Sequence, residues 1–367
     1  MELRSRESRA RGVGEKSGGV AVYGRGLPTG ISPGVIRCRR SQTAATAAAI
    51  MKTRTIILGT RGSELARAQA RLVEKAIQAA QPDTKIETRI IKTRGEEATL
   101  LERQAGRKGL FTAEIERTLL SGDVDVAVHS AKDLPSETNP DAEIAAVLAR
   151  GPIDDVLVSK HPGGFASLPQ SAAVATGSVR RKRQLLWKRA DLKFVDLHGN
   201  VPTRLRKLTN NNWDAIVLAR AGLARLSLSP DHHEFSFEGR RLSIEVLPPE
   251  VFLPAGGQGI IALQVRANDE TMKAIVDVVN DRKTLLCLRA EREFLRLLHG
   301  DCNCPVGVLA TIEGDTMKLR AQLFTDQSVA PREAEVEGVH NEREDLVMQL
   351  LNRLQAPASE QGYGLPD

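Results

Sequence analysis

The hydrophobic pattern opens at Thr55. Residues 55–59 (T-I-I-L-G) form an apolar run of strand length. Ser63 then stands as an N-cap before a helix of about 64–80, with Leu65, Ala66, Gln69, Leu72 and Ile77 at helical spacing. Alternation of Ile86, Thr88 and Ile90 predicts a second strand at about 85–92. A charged, Gly-containing loop follows over 93–109, and loops that long inside a compact domain are functional or move. A helix over 111–120 leads into Val126-Ala-Val-His-Ser-Ala-Lys-Asp-Leu-Pro135, a buried-strand pattern that breaks into polar residues and is stopped by Pro135. One β-α-β-α-β half is complete there.

A second half repeats the alternation. Strands are predicted at 155–159 (D-V-L-V-S), 172–175, 193–197 and 214–218 (D-A-I-V-L). Between them lie a helix capped by Ser178 and running to about 189, and a helix holding Arg204. The Gly-rich turn Leu253-Pro-Ala-Gly-Gly-Gln-Gly259 marks where the chain crosses back to the first half. From about 282 the character changes to an amphipathic helix (284–298), the loop G-D-C-N-C-P-V-G, two alternating runs (308–312, 317–324) and a closing helix near 342–354. That is a small α+β module. There is no internal sequence repeat, although the two α/β halves read as structurally alike.

Residues 1–50 are rich in Arg, Ser, Gly and Ala, carry no hydrophobic period and are expected to lack fixed structure. Such a leader resembles a plastid-type transit peptide, but Glu2, Glu7 and Glu15 count against that, and Met51-Lys-Thr-Arg-Thr-Ile reads as the natural start. The expected division is 1–50 leader, 51–150 with 256–280 as one α/β domain, 151–255 as the second, 281–357 as the α+β domain and 358–367 as a tail.

Composition narrows the function classes. Aromatics are 3% of the 367 residues, too few for a base-stacking platform on single-stranded nucleic acid. The formal net charge is +6, with Arg far commoner than Lys. A basic balance suits nucleic acid, a membrane surface or a small polyanion. Arginines scattered at strand ends favour the small anion, whereas a basic run along one helix would favour DNA. Cys38, Cys287, Cys302 and Cys304 do not form a disulfide framework, which points to the reducing cytoplasm. No stretch approaches the roughly 20 apolar residues of a membrane span.

In an open α/β sheet the residues just past a strand's carboxyl end line the ligand crevice. That makes Asp133, with Ser130 and Lys132 beside it, a candidate for chemistry; the plainer reading is a solvated turn with His129 in the core. Arg61, Arg180, Arg181 and Arg225 each follow a predicted strand, and Arg204 lies in a helix just after another. Singly each reads as a surface residue. Together they suggest a cleft for a polycarboxylate or a phosphate ligand, because guanidinium matches either bidentately and stays charged. Charge alone does not choose between the two. Cys302-x-Cys304 is too tightly spaced for a structural zinc pair, and no metal is expected. Cys287 lies on an apolar helix face, Cys304 reads as inward-pointing, and Cys302 on its Gly-Asp loop is the exposed thiol.

The chain resembles the porphobilinogen deaminase (hydroxymethylbilane synthase) family over about 52–330. The resemblance is carried by T-R-G-S with Gln69, K-G-L-F-T-A-E-I-E, V-H-S-A-K-D-L-P, T-G-S-V-R-R, H-G-N-V-P-T-R-L and G-D-C-N-C-P-V-G, in family order. It implies two α/β domains like those of periplasmic binding proteins plus a small C-terminal α+β domain. It further implies one dipyrromethane cofactor per chain, held by a thioether to Cys302, to which four porphobilinogen units are joined head to tail with loss of ammonia. Asp133 falls on the family's catalytic aspartate. Arg180, Arg181, Lys132, Ser130, Thr176, Ser178, Arg204, Asn200 and Gln258 fall on cofactor contacts. Arg61, Ser63, Gln69, Arg225, Phe111, Lys108 and His198 fall on substrate contacts. Two departures stand out: His198 replaces a family arginine, either binding a carboxylate in its place or standing neutral with the charge supplied by a neighbour such as Arg206, and Gln104 stands near a family lysine. The resemblance implies a cytoplasmic monomer acting on a small molecule, without nucleic-acid or membrane partners. Two other readings remain from the residues alone. A non-catalytic two-lobed anion-binding protein would carry an export signal and have no use for Cys302. A DNA-binding regulator would show a basic helix-turn-helix.

Overall fold

A computed structural model describes residues 55–92, 112–137, 139–228, 233–299, 304–326 and 328–356. The expectations for 1–50, the loop 93–109 and 358–367 lie outside the described residues, as do those for Gln104, Lys108, Phe111 and Cys302.

The first lobe begins with β1 (Thr55–Arg61), α1 (Glu64–Ala80), β2 (Lys85–Ile91), α2 (Ala113–Leu120), β3 (Val126–Ser130) and β4 (Ala142–Val147). Ser63 caps α1, its side chain accepting from Ala66 N, and Glu64 favours the helix's positive end. The buried stripe of α1 is Ala66, Gln69, Ala70, Val73 and Ile77. Leu72, expected on that stripe, is 41% exposed because the true face is set one residue further on. Ile90 is also exposed, as β2 is the edge strand.

The second lobe holds β5 (Asp155–Ser159), β6 (Ala173–Ala175), α3 (Val179–Lys188), β7 (Lys193–Val195), α4 (Val201–Asn210), β8 (Ala215–Ala219), a short α5 (Arg220–Arg225), β9 (Glu234–Phe237) and β10 (Arg240–Leu247). The chain then returns through β11 (Ile261–Arg266) and α6 (Glu270–Val276) to the first lobe. The strands β4, β9, β10 and β11 and the helix α6 had no counterpart in the sequence pattern.

The two sheets are laid out alike. The first runs β2-β1-β3-β11-β4 and the second β7-β6-β8-β5-β10-β9. In each, three parallel strands come first, then one antiparallel strand, then a strand parallel to the first three. The antiparallel strand, β11 or β5, is in each case the one that has just arrived from the other lobe. Both crossovers therefore run between the carboxyl edges of the two sheets, which brings those edges face to face.

The crossovers touch. Gly151 N donates to Gly259 O at 3.0 Å. Gly259 has φ +86, and a Cβ on it would lie 2.6 Å from Gly151 O, so both the conformation and the contact require glycine.

The third module is α7 (Arg282–Leu297), then β12 (Val306–Glu313), β13 (Thr316–Leu323), β14 (Arg332–Val339) and α8 (Arg343–Gln355), with the strands antiparallel in that order. Cys287 and Phe294 of α7 join Val308, Leu319 and Leu350 in its core, and Cys304 packs against the same core, as expected. Leu285 and Leu288 of α7 instead pack with Ala131, Leu134 and Ile260 of the first lobe, so one helix serves two cores. Strand β14 was missed because only Val336 along it is buried.

Candidate active site at the lobe junction

The residues singled out by sequence stand on the facing carboxyl edges. From β3 come Ser130 and a 3-10 turn, Ala131–Asp133, closed by Leu134 N donating to Ala131 O. Asp133 is exposed, while Lys132 is half-buried. Gln69, 2% exposed on α1, places its amide nitrogen 2.8 Å from Ser130 Oγ and so holds that hydroxyl at the strand end. His129, behind the turn, is a core residue: burial, then the Arg61 and Arg292 charges, push its pKa down to about 4.

Three helices begin at the junction, one from the first lobe and two from the second. Ser63, Ser178 and Asn200 cap α1, α3 and α4, accepting from Ala66, Arg181 and Thr203 N–H groups, and Thr176 Oγ1 accepts from Ser178 N. These polar residues thus aim helix N-termini, with their free N–H groups, at the junction.

Arg180 and Arg181 lie deepest. Both bind Asp155, at 2.8 and 2.7 Å, and Asp155 is 1% exposed. Burial alone would raise the Asp155 carboxyl, but the two guanidiniums outweigh it and hold it well below the carboxylate range. Arg180 also donates to Gln184 and to Leu253 O, and Arg181 to Val217 O. Arg181 Nε is buried with no partner among the described residues.

Arg204 and Arg225 differ. Arg204 donates to Gly199 O at 2.7 Å, and Arg225 to Gly259 O at 2.6 Å. Neither has a carboxylate partner among the described residues. Burial lowers both to about 10, with the Arg181 charge adding to the effect on Arg204 and Asp133 opposing it. Burial likewise pushes Lys132 down to about 8, helped by Arg181 and opposed by Asp133 and Asp155. Asp133, Lys132, Arg181 and Arg204 therefore feel one another across the junction. Partly stripped cations that keep only carbonyl partners suit an incoming carboxylate.

His198 follows β7 half-buried, its carbonyl accepting from Lys207 Nζ at 3.0 Å. Arg206 pairs with exposed Glu238 at 2.7 Å, and Lys207 is the cation whose contact with the His198 carbonyl is seen.

Three residues escaped the sequence reading. Asp155 could have been flagged as a charge opening an otherwise apolar strand. Glu291, 0% exposed, falls on the apolar face of α7 and accepts from Arg150, Gly257 N and Ala310 N, binding the third module to both crossovers. Its neighbour Arg292 donates to Pro135 O at 2.6 Å, just past Asp133.

Fold and site together define a two-lobed α/β protein that gathers cations about the exposed carboxylate of Asp133 and adds a separate α+β module. The family model "Porphobilinogen deaminase, dipyromethane cofactor binding domain" matches residues 56–274, and "Porphobilinogen deaminase, C-terminal domain" matches 285–356. The chain belongs to the porphobilinogen deaminase family. It is 43% identical over 272 residues to the porphobilinogen deaminase of Roseiflexus sp. (strain RS-1), covering 73% of this chain and 86% of that one. With that of Thermus thermophilus it shares 41% over 298 residues, covering 81% and 94%. Among solved structures it is similar to the Bordetella pertussis BvgS periplasmic VFT2 domain at TM-score 0.37 and 16% identity, covering 68% of this chain and 94% of that one.

Proposed function

We propose that the lobe junction is where this chain performs its family's reaction, with Asp133 as the catalytic carboxylate. The activity itself is that of a transferase: four porphobilinogen molecules are condensed head to tail onto a cysteine-linked dipyrromethane, each losing ammonia, and hydroxymethylbilane is released for tetrapyrrole biosynthesis. The observation that carries the site assignment is the exposed Asp133 facing half-buried Arg204, with Lys132 and Arg181 beside them.

The residues present fit the cofactor's chemistry. Each pyrrole brings two carboxylates, and the junction supplies Lys132, Arg204, Arg225 and the unpartnered Arg181 Nε for them. Cys302 falls between α7 and β12 in the sequence, and Gly307 of β12 lies against the return crossover, where a Cβ would meet Leu253 O at 2.7 Å. Bound through Cys302, dipyrromethane would supply the pyrrole carbon to which the first unit is joined, each later unit adding to the one before it.

In this reading Arg61, Arg204, Arg225 and His198 bind substrate carboxylates, while Ser63, Gln69, Phe111 and Lys108 complete the substrate's surroundings. Arg180 and Arg181 provide positive field from beneath. Asp133 accepts the substrate pyrrole N–H and stabilises the cation that forms as the C–N bond to ammonia breaks. The new C–C bond uses the electron pair of the acceptor pyrrole, whose displaced proton leaves.

Three domains (51–150 with 256–280, 151–255, 281–357), a monomer and a cytoplasmic setting belong to the same proposal. The unpaired thiol of buried Cys287 supports a reducing compartment, and no helix among the described residues is long and apolar enough to cross a membrane. Peptide mass mapping of the purified protein tests the assignment. Two linked pyrrole units are expected on Cys302, lost in Cys302→Ala and kept in Cys304→Ala. Active enzyme with an unmodified Cys302 overturns it.

A further inference from the structure

Gln258 lies where the return crossover passes beneath the Lys132–Asp133 turn, and it is 1% exposed. The approach is close: a Cβ on the preceding Gly257 would meet Lys132 N at 2.9 Å and Ala131 C at 3.0 Å. The partners dictate which way the Gln258 amide points. On one side are two acceptors, Ile153 O at 2.7 Å and Asp155 Oδ1 at 3.0 Å, and only the NH2 end serves both. The carbonyl end therefore faces Lys132, whose Nζ lies 3.2 Å from Oε1. The main chain is held as firmly, with Gln258 N donating to Ala255 O and Arg150 Nε donating to Gln258 O.

With both amide protons taken by protein, Gln258 has no donor left for a cofactor carboxylate. We infer that Gln258 is a positioning residue, which braces the Lys132 ammonium against the buried Asp155–Arg180–Arg181 cluster and so sets where that cation stands in the junction. The brace joins three separate stretches: the β3 turn, the start of β5 and the return crossover. Its need is electrostatic. Lys132 is faced by Arg181 and Arg180, which repel it, and by Asp133 and Asp155, which attract it. A neutral acceptor at fixed distance selects one position among these pulls without adding charge. The inference rests on the junction being the substrate site.

The test is a double-mutant cycle in holoenzyme with Gln258→Met, which keeps volume but no hydrogen bonds, and Lys132→Met, with Tm and cofactor loading checked in each. Gln258→Met should lower kcat on the order of 10²-fold with little change in KM, the scale for misplacing a group by about 1 Å. On the Lys132→Met background the same change should cost less than about threefold, because the residue acts through the lysine. Losses that multiply, or an unchanged kcat in the single variant, overturn the inference. A second measurement leaves Gln258 intact. In 15N-labelled wild type, the Gln258 side-chain amide resonances should move as Lys132 titrates near pH 8 and stop moving in Lys132→Met. Resonances that ignore that titration in wild type overturn the contact. The Cys302 adduct is read by mass in every variant, so failure of the brace and failure of the site assignment are told apart.

Discussion

The two lobes share a strand order and differ in the fate of one carboxylate. In the second lobe, Asp155 opens a strand, is 1% exposed and is spent on Arg180, Arg181 and Gln258. In the first, Asp133 follows a strand on a 3-10 turn, stands exposed and makes no hydrogen bond or ion pair among the described residues. The second lobe thus sinks its acid and presents cations, while the first presents the acid. Burial decides the difference. A buried carboxylate must be paired and so becomes scaffold, whereas an exposed one keeps its oxygens for a substrate.

Exchanging the acid for its amide in each lobe should break the comparison in opposite ways. Asp155→Asn leaves two buried guanidiniums facing an amide, and removing one partner of such a cluster costs about 3–5 kcal/mol. Denaturant unfolding should show that loss, with kcat of the remaining folded enzyme following only indirectly. The pH dependence has a definite sign. The folded Asp155 carboxyl is depressed below its ordinary 3.8, so its stabilisation is complete above that value and disappears as pH falls below it. Asp155→Asn should remove that part of the acid sensitivity.

Asp133→Asn should do the converse. Stability should change little, because Asp133 is exposed and makes no hydrogen bond or ion pair among the described residues, but kcat should fall by about 10²–10³, the range for a lost electrostatic stabiliser. Near-normal turnover would put the catalytic carboxylate elsewhere. A smaller effect sharpens the cation side. A histidine bound to a carboxylate keeps its charge above its ordinary range of about 6.5 and loses it as pH rises towards about 8, while arginine stays charged. KM for wild type should therefore rise a few-fold across that range, and the profile for His198→Arg should be flatter. Superimposable profiles would mean that Lys207, whose Nζ already reaches the His198 carbonyl, supplies the charge.

Much of this was legible in the sequence where local signals were strong. Ser63 and Ser178 each read as a helix cap and each proves to be one, and the D-V-L-V-S run is a strand with the expected ends. The arginines were found by address, but their division into scaffold and ligand-facing sets was not. That division depends on Asp155, which meets Arg180 and Arg181 only after a long excursion of chain. The missed strands β4 and β11 have the same cause, since their partners lie in distant sequence. Gln258 was noticed as a contact, and only three-dimensional placement turned it into a brace.

The central place of β11 has a consequence for how the protein is made. Strand β3 ends at Ser130 and pairs with Ile261 at the start of β11. At about 5–20 residues per second, the ribosome delivers that partner only some ten seconds or so after β3 has emerged. The second lobe's β5 to β10, contiguous in the chain, can close their sheet within that interval. The lobe synthesised first is therefore the one completed last. Until β11 arrives, β3 keeps an open edge of the kind that invites wrong pairing, which makes the nascent first lobe the stage of synthesis most dependent on protection from aggregation.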